Sequence, residues 1–338
     1  MSRMITYTQA IREAQDYEMA RDPDVFICGE DVSAFGSAFG QTAGLLNKYG
    51  PMRVLDTPLS ETAITSLGVG AAAVGLRPIV VHDFMDFMGV CMDEVLNQVS
   101  KLAWMVGGQT KLSMVIRAQA GAGISAAAQH SQSIESFFTH MPGLKVVASS
   151  NPADAKGLLE SAIRDDNPVF VIENKTLLGM EGDVPDGEYL VPIGKAAILR
   201  EGADVTIVSY GMMVNKCLNA AEALISEGIS AEVIDIRTLI PLDKETIFTS
   251  LEKTNRLVIV HEAIGCTGYG AEIAAIVAEE ALDYLDAPII RVTAPFTHCP
   301  FSPPLEAEYV PNEQKIMAAA RQTCGLENSE FGIRNSEF

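Results

Sequence analysis

Two hydrophobic rhythms alternate along the chain. Short β-branched runs bounded by Gly, Pro or Asp read as strands: DVFICGED (24–31), MRVLDTP (52–58), RPIVVHDF (77–84), LSMVIRAQ (112–119), LKVVASS (144–150) and PVFVIEN (168–174). Longer helical patterns, such as GVCMDEVLNQVSKLAWMV (89–106) and PADAKGLLESAIRDD (152–166), separate most of them. This alternation predicts a largely parallel sheet covered on both faces. Residues 176–195 break the rhythm with glycines and prolines and read as a linker. Beyond it, ADVTIVSYG, AEVIDIRTL, RLVIVHEA and PIIRVTAP alternate with further helical patterns. The expectation is an α/β chain of two doubly wound domains, 1–175 and a smaller one over 196–326. The repeated NSEF at 328–331 and 335–338 sets 327–338 apart as a disordered tail or cloning remnant.

Composition narrows the class. The chain has 338 residues, 48% hydrophobic and 20% charged, which suits a globular protein with two cores. Its 44 acidic against 24 basic side chains give a net charge of −20, which repels nucleic acid and anionic membranes. The surplus serves solubility, or attracts a basic protein partner. Six scattered cysteines with no C-x-x-C pair suit buried thiols in a reducing compartment. No run approaches the roughly 18–20 apolar residues of a membrane span, and the N-terminus lacks signal or transit character. A cytoplasmic chain, or one imported and trimmed, is expected.

Candidate chemistry centres on DTPLSETAITSLGVGAAAVGLRP (56–78). Glu61 follows Ser60, and capping by Ser60 with an acid in the first helical turn is the plain explanation. GVGAAA at Gly68–Ala73 matches a dinucleotide fingerprint in letters, but that motif must follow a strand and open a helix, whereas here it falls inside a helical run. Gly68 and Gly70 therefore read as close-packing positions. Ligands in open parallel sheets bind beyond the carboxyl ends of strands. Three strands of the first domain are followed there by Glu61, Phe87 and His130, an acid, an aromatic plate and an imidazole suited to a flat heteroaromatic ligand. His82, His140 and His298 have no metal-ligand spacing, and phosphate-loop, nucleophile-elbow and zinc-protease motifs are absent.

VLDTPLSE, AAVGLRPIV, AAAQHSQS, PGLKVV, AIRDDNPV, YLVPIGKA, VIDIRTLIPLD and EKTNRLVIV occur in order over about residues 4–325 and resemble the beta subunit of thiamine-diphosphate-dependent 2-oxo acid dehydrogenases. GAGISAAAQHSQS and TAPFTHCPFSPPLEAEYVPNEQKI are most similar to the acetoin dehydrogenase branch. The chain lacks the Trp-containing insertion those enzymes carry near SAFGSAFGQTAGL, which keeps pyruvate and branched-chain substrates in view.

The resemblance implies a transketolase-like fold, with a pyrimidine-binding domain followed by a C-terminal domain. It implies that Glu61 shares a proton with the cofactor's aminopyrimidine ring nitrogen, favouring the imino tautomer that deprotonates the reactive carbon. Phe87 would stack on that ring and Leu59 would line its pocket. His130 would orient or protonate the substrate-derived group, or assist transfer to lipoamide. Met114, Ala162, Ile163, Asp165 and Asn167 would correspond to a potassium site built mainly from backbone carbonyls. No G-D-G motif occurs, so Mg2+ and the diphosphate would be held by an alpha subunit in an α2β2 heterotetramer. A dihydrolipoyl acyltransferase core is the further expected partner. Two other classes are weighed beside this one: a non-catalytic docking subunit of a multienzyme complex, and a nicotinamide oxidoreductase resting on GVGAAA.

Overall fold

The structure, a computed structural model, describes residues 2–33 and 36–326. The expected tail at 327–338 lies outside the described residues. Two compact units form. Among the described residues the first comprises 2–33, 36–120, 137–193 and 239–241, and the second 121–136, 194–238 and 242–326.

The first unit is built on a seven-stranded sheet in the order Thr238–Ile240, Lys145–Ala148, Val169–Asn174, Val115–Ala120, Arg77–His82, Val25–Glu30, Val54–Thr57. The last six pair in parallel. Val25–Glu30, Val115–Ala120 and Val169–Asn174 are buried along their whole length, which explains their largely apolar, β-branched character. From Val25–Glu30 the chain passes to one neighbour, Val54–Thr57, then crosses to the other, Arg77–His82. The strand order thus reverses at Val25–Glu30, and in open sheets such a reversal leaves a crevice beyond the carboxyl ends. Glu30, Thr57 and His82 end the three strands there.

Local signals set the flanking helices. Thr6 and Gln9 form a reciprocal capping box before Tyr7–Arg21. The Asn151 side chain accepts from Asp154 N at 2.9 Å, and Pro152 opens Pro152–Arg164. The pattern over 89–106 does not form one α-helix. After the 3-10 turn Met85–Gly89 it divides into a π-helical stretch Glu94–Val99 and the short helix Leu102–Met105. Ser100 N reaches back five residues to Val95 O (3.1 Å), while the Ser100 hydroxyl donates to Leu96 O (2.6 Å).

The stretch read as a linker belongs largely to the first unit. Glu181–Pro185 pairs antiparallel with Ser2–Thr6, and Val191 N donates to Gly157 O at 3.1 Å. Two strands far apart in sequence satisfy one another here, and neither alone carries a strong strand pattern. Below the carboxyl ends of Val115–Ala120 and Val169–Asn174 lies a buried polar cluster. Glu173 accepts from Arg117 Nε (2.6 Å) and Nη2 (3.0 Å), Gln41 Nε2 (2.7 Å) and Gln119 Nε2 (2.9 Å), while Arg117 Nη1 donates to Gln15 Oε1 (2.8 Å).

The second unit carries a five-stranded sheet in the order Ile290–Ala294, Leu257–Ile264, Val205–Ser209, Ala231–Asp235, Ala197–Arg200. All pairings are parallel except that of the edge strand Ala197–Arg200. Its core joins Val205, Ile207, Val233, Val258 and Val260 to Cys217 and Leu224 of the helix Met212–Leu224 and Ile316 of the helix Glu313–Thr323. All six cysteines are free, four of them buried.

Candidate active site

Glu61 is the first residue of the helix Glu61–Ala73, immediately beyond the strand Val54–Thr57 and next to the switch point. Of the capping explanation for the Ser60–Glu61 pair, the acid in the first helical turn holds but the side-chain cap does not, because the Ser60 hydroxyl donates to Pro58 O at 3.0 Å. The helix is anchored by Ile64, Thr65, Gly68, Val69 and Ala72, leaving Glu61 partly exposed. A Cβ on Gly68 would stand 2.5 Å from Val80 Cγ2, so the close-packing reading holds there; at Gly70 it would meet nothing within 4 Å. Because Gly68–Ala73 lie inside the helix, the dinucleotide reading is excluded.

Two carboxyls that the sequence reading missed lie nearby, Glu30 beside Glu61 and Asp83 beside Glu30. Burial, with the charges of Glu61 and Asp83 added to it and the Ser60 N–H opposing, pushes Glu30 up to about 7. Burial likewise raises Asp83 to about 6, opposed by the Ala38 N–H. Glu30 Oε1 and Asp83 Oδ1 are buried without a hydrogen-bond partner. Both residues could have been found by following each strand to its carboxyl end, Glu30 in VFICGED and Asp83 in VVHDF. His82, given no role from sequence, is buried against Thr65 Oγ1 (Nε2 at 3.1 Å) and held down to about 4 by desolvation, hence neutral.

A carboxyl raised on folding stabilises the folded state below its unfolded value and loses that contribution as pH rises through the folded value. For Glu30 the window runs from the ordinary 4.5 to about 7. We therefore expect the melting temperature of Glu30→Gln to fall less than that of the parent across this window. Melting curves at several pH values check this, and parallel curves would contradict it.

Phe87 lies in the turn Met85–Gly89 and is half-buried. Its ring meets Phe84 edge-on at 5.8 Å, Phe84 meets Phe39 at 5.8 Å, and Lys175 Nζ lies 5.5 Å from the Phe84 centroid. Thr62 Oγ1 donates to Val90 O at 3.0 Å, tying the Glu61 helix to this segment, and the charge of Glu61 reaches Cys91. Leu59 is 83% exposed, a large apolar side chain open at the rim.

His130 is placed differently from the sequence expectation. Although it follows the strand Val115–Ala120, its segment Gly121–Ser136 belongs to the second unit. The five residues of the potassium expectation gather in the first unit at the end of Pro152–Arg164. Met114 O accepts from Val169 N (3.0 Å) and Ala162 O from Asp165 N (3.2 Å). Arg77 Nη1 donates to both Ile163 O (3.0 Å) and Asp165 O (3.1 Å), and Asn167 Nδ2 donates to Asp165 Oδ1 (3.0 Å). Among the described residues no group of three or more His, Cys, Asp or Glu side chains could hold a metal ion.

The first unit thus has a parallel sheet with acids and an aromatic ring near its switch point, and comparison with known proteins gives the chain a family. The transketolase pyrimidine-binding domain matches residues 3–181 and the transketolase C-terminal domain residues 194–316. The beta subunit of acetoin:2,6-dichlorophenolindophenol oxidoreductase is 50% identical in Cupriavidus necator over 333 residues, covering 96% of this chain and 98% of that protein. The Bacillus subtilis counterpart is 48% identical with the same coverage. The beta subunit of the Rickettsia felis pyruvate dehydrogenase E1 component is 46% identical, covering 95% of this chain and 98% of that one. The chain belongs to this family of transketolase-type oxidoreductase beta subunits. A split-gene transketolase, solved as an inactive beta4 tetramer, shares the fold at TM-score 0.79 and 24% identity, over 96% of this chain and 99% of that one.

Proposed function

We propose that this chain supplies the pyrimidine-holding half of a thiamine diphosphate site completed by an alpha subunit. The enzyme so formed would cleave acetoin, or decarboxylate a 2-oxo acid, and pass the acyl unit to lipoamide. One observation carries the reading: Glu61, a partly exposed carboxylate on the first residue of a helix, stands at the sheet's switch point beside Glu30, whose Oε1 is buried without a partner.

The residues fit the group. An aminopyrimidine offers N–H donors and a basic ring nitrogen, which answer carboxyl oxygens such as Glu30 Oε1 and Asp83 Oδ1. The same acids would repel a diphosphate, which supports its being held, with Mg2+, by the partner. When bound, thiamine diphosphate supplies the carbanion chemistry. Glu61 holds a proton at the pyrimidine ring nitrogen, Phe87 gives the ring a stacking face, and Leu59 shields it from water. His130 holds or delivers a proton at the oxygen of the substrate-derived group. We extend the proposal to potassium at Met114, Ala162, Ile163, Asp165 and Asn167. It would use the second lone pair of carbonyls that already accept from Arg77 and the backbone.

Exposed Leu59, Val74, Val90, Trp104 and Met105 support a partner-covered face in an α2β2 assembly. The net charge of −20 suits a basic docking domain on a dihydrolipoyl acyltransferase core. Co-expression with the alpha subunit tests the reading. The pair should bind thiamine diphosphate in calorimetry and turn over acetoin, with pyruvate and branched-chain 2-oxo acids as competing substrates. Tight binding and turnover by this chain alone would overturn it.

A further inference from the structure

We propose that Glu306 is a positioning residue for His130, its carboxylate being the fixed anion around which the His130-bearing loop is wound. The inference rests on the role given to His130 above. After Val115–Ala120 the backbone enters the left-handed region at Gly121 (φ 93°), Gly123 (φ 102°), Ser125 (φ 55°) and Ala127 (φ 62°). Two of these four carry side chains, for which this conformation is unfavourable, so the loop must be held from outside. Left-handed residues spaced this way turn successive N–H groups towards one concavity, an arrangement that ordinarily binds an anion.

Here the protein provides the anions itself, from within the second unit. Glu306, on the helix Pro303–Tyr309, accepts from Gly123 N at Oε1 (2.8 Å), and from Ser125 N (2.9 Å) and the Ser125 hydroxyl (3.1 Å) at Oε2. The Cys299 thiol lies 3.8 Å from Oε1. Glu262, on the strand Leu257–Ile264, accepts from Ala122 N. Glu306 is only 4% exposed, and its charge is answered by loop N–H and O–H donors. Such burial is costly, and an apolar side chain would pack there at less expense. What the carboxylate adds is a fixed loop path. Downstream, Gly121 N to Gln132 O (3.2 Å) and His130 N to Ala127 O (3.4 Å) close the loop on itself, so the place of His130 follows from that of residues 123–125.

The test is a double-mutant cycle in the assembled holoenzyme. Glutamine is isosteric with Glu306, but its NH2 must face one of the loop donors, so Glu306→Gln loosens the loop without opening a cavity. We expect Glu306→Gln to lower kcat roughly 10- to 100-fold, the effect of a misplaced group, with KM little changed. In a His130→Gln background the same substitution should cost less than about threefold, since its effect acts through His130. An equal loss in both backgrounds would mean a merely structural role and would overturn the proposal while leaving His130 in place. Unchanged turnover in His130→Gln alone would instead overturn the role of His130. Should Glu306→Gln fail to assemble, Ser125→Ala removes one donor and leaves the backbone intact. It should cost about 2- to 10-fold in kcat, again only when His130 is present, and equal losses would again overturn the proposal.

Discussion

Glu61→Ala is expected to lower turnover of the enzyme assembled with its alpha subunit by about 10²–10⁴-fold, the usual worth of a positioned proton-transfer group, without loss of assembly. The helix Glu61–Ala73 is anchored through Ile64, Thr65, Gly68, Val69 and Ala72, so its fold does not depend on the Glu61 side chain. Losing an acid from the first turn costs roughly 0.3–1 kcal/mol, and relief of the repulsion with Glu30 offsets part of that. Glu61→Gln should behave almost as badly as alanine, since an amide keeps the shape but cannot exchange a carboxyl proton. Removing the charge at 61 also withdraws one of the causes that raise Glu30, so the Glu30 carboxyl should titrate lower in both variants. Steady-state rates, gel filtration and thermal melts decide the matter. Turnover within about threefold of the parent in Glu61→Gln would remove the proton-sharing role, and loss of assembly with the alpha subunit in Glu61→Ala would recast the residue as structural.

The second large effect concerns stability. Arg117 and Glu173 are both essentially excluded from water, and Glu173 is answered by Arg117, Gln41 and Gln119 together. Arg117→Met should destabilise the first unit by about 3–5 kcal/mol, because it leaves a buried carboxylate whose only cationic partner in this cluster is gone. Adding Glu173→Leu should recover most of that loss, since removing both charges removes the uncompensated one. Chemical unfolding followed by a probe in the first unit is the appropriate measurement, because two units need not unfold in one step. A single-variant cost below about 1 kcal/mol, or no recovery in the double variant, would contradict the account.

Much of the architecture was legible because it rests on periodicity. A strand buried on both faces is rich in β-branched and apolar residues, so VFICGE, VIRAQA and VFVIEN stood out even with the buried polar residues Arg117, Gln119 and Glu173 among them, and the helix Pro152–Arg164 between the last two carries its own cap at Asn151. What escaped notice is non-local. Ser2–Thr6 is mostly exposed and becomes a strand only by pairing with Glu181–Pro185, which turned an expected linker into part of the first unit. The 89–106 pattern is compatible with an α-helix, yet the backbone takes a π-helical turn there. Short edge pairings and helix irregularities leave little trace in a hydrophobic pattern because few side chains change burial.

The site divides in the same way. Glu61 and Phe87 were singled out because each follows a strand end, and Leu59 only because its stretch resembles a known family. Glu30 and Asp83 were passed over, since an acid closing a strand looks like any turn former until its neighbours are known. His130 was assigned to the domain its sequence neighbours suggested, whereas carboxylates contributed by residues 262 and 306 tie its loop into the second unit.

By itself, then, the amino-acid order determined the class of fold, the succession of strands and helices, and the identity of the acid at position 61. Those follow from side-chain burial and local backbone preference, which act over a few residues at a time. Only the tertiary structure decided which carboxyls share a neighbourhood, how far Glu30 is driven from its ordinary ionisation, and what holds the His130 loop. These depend on through-space electrostatics and on hydrogen bonds between residues as many as 183 positions apart.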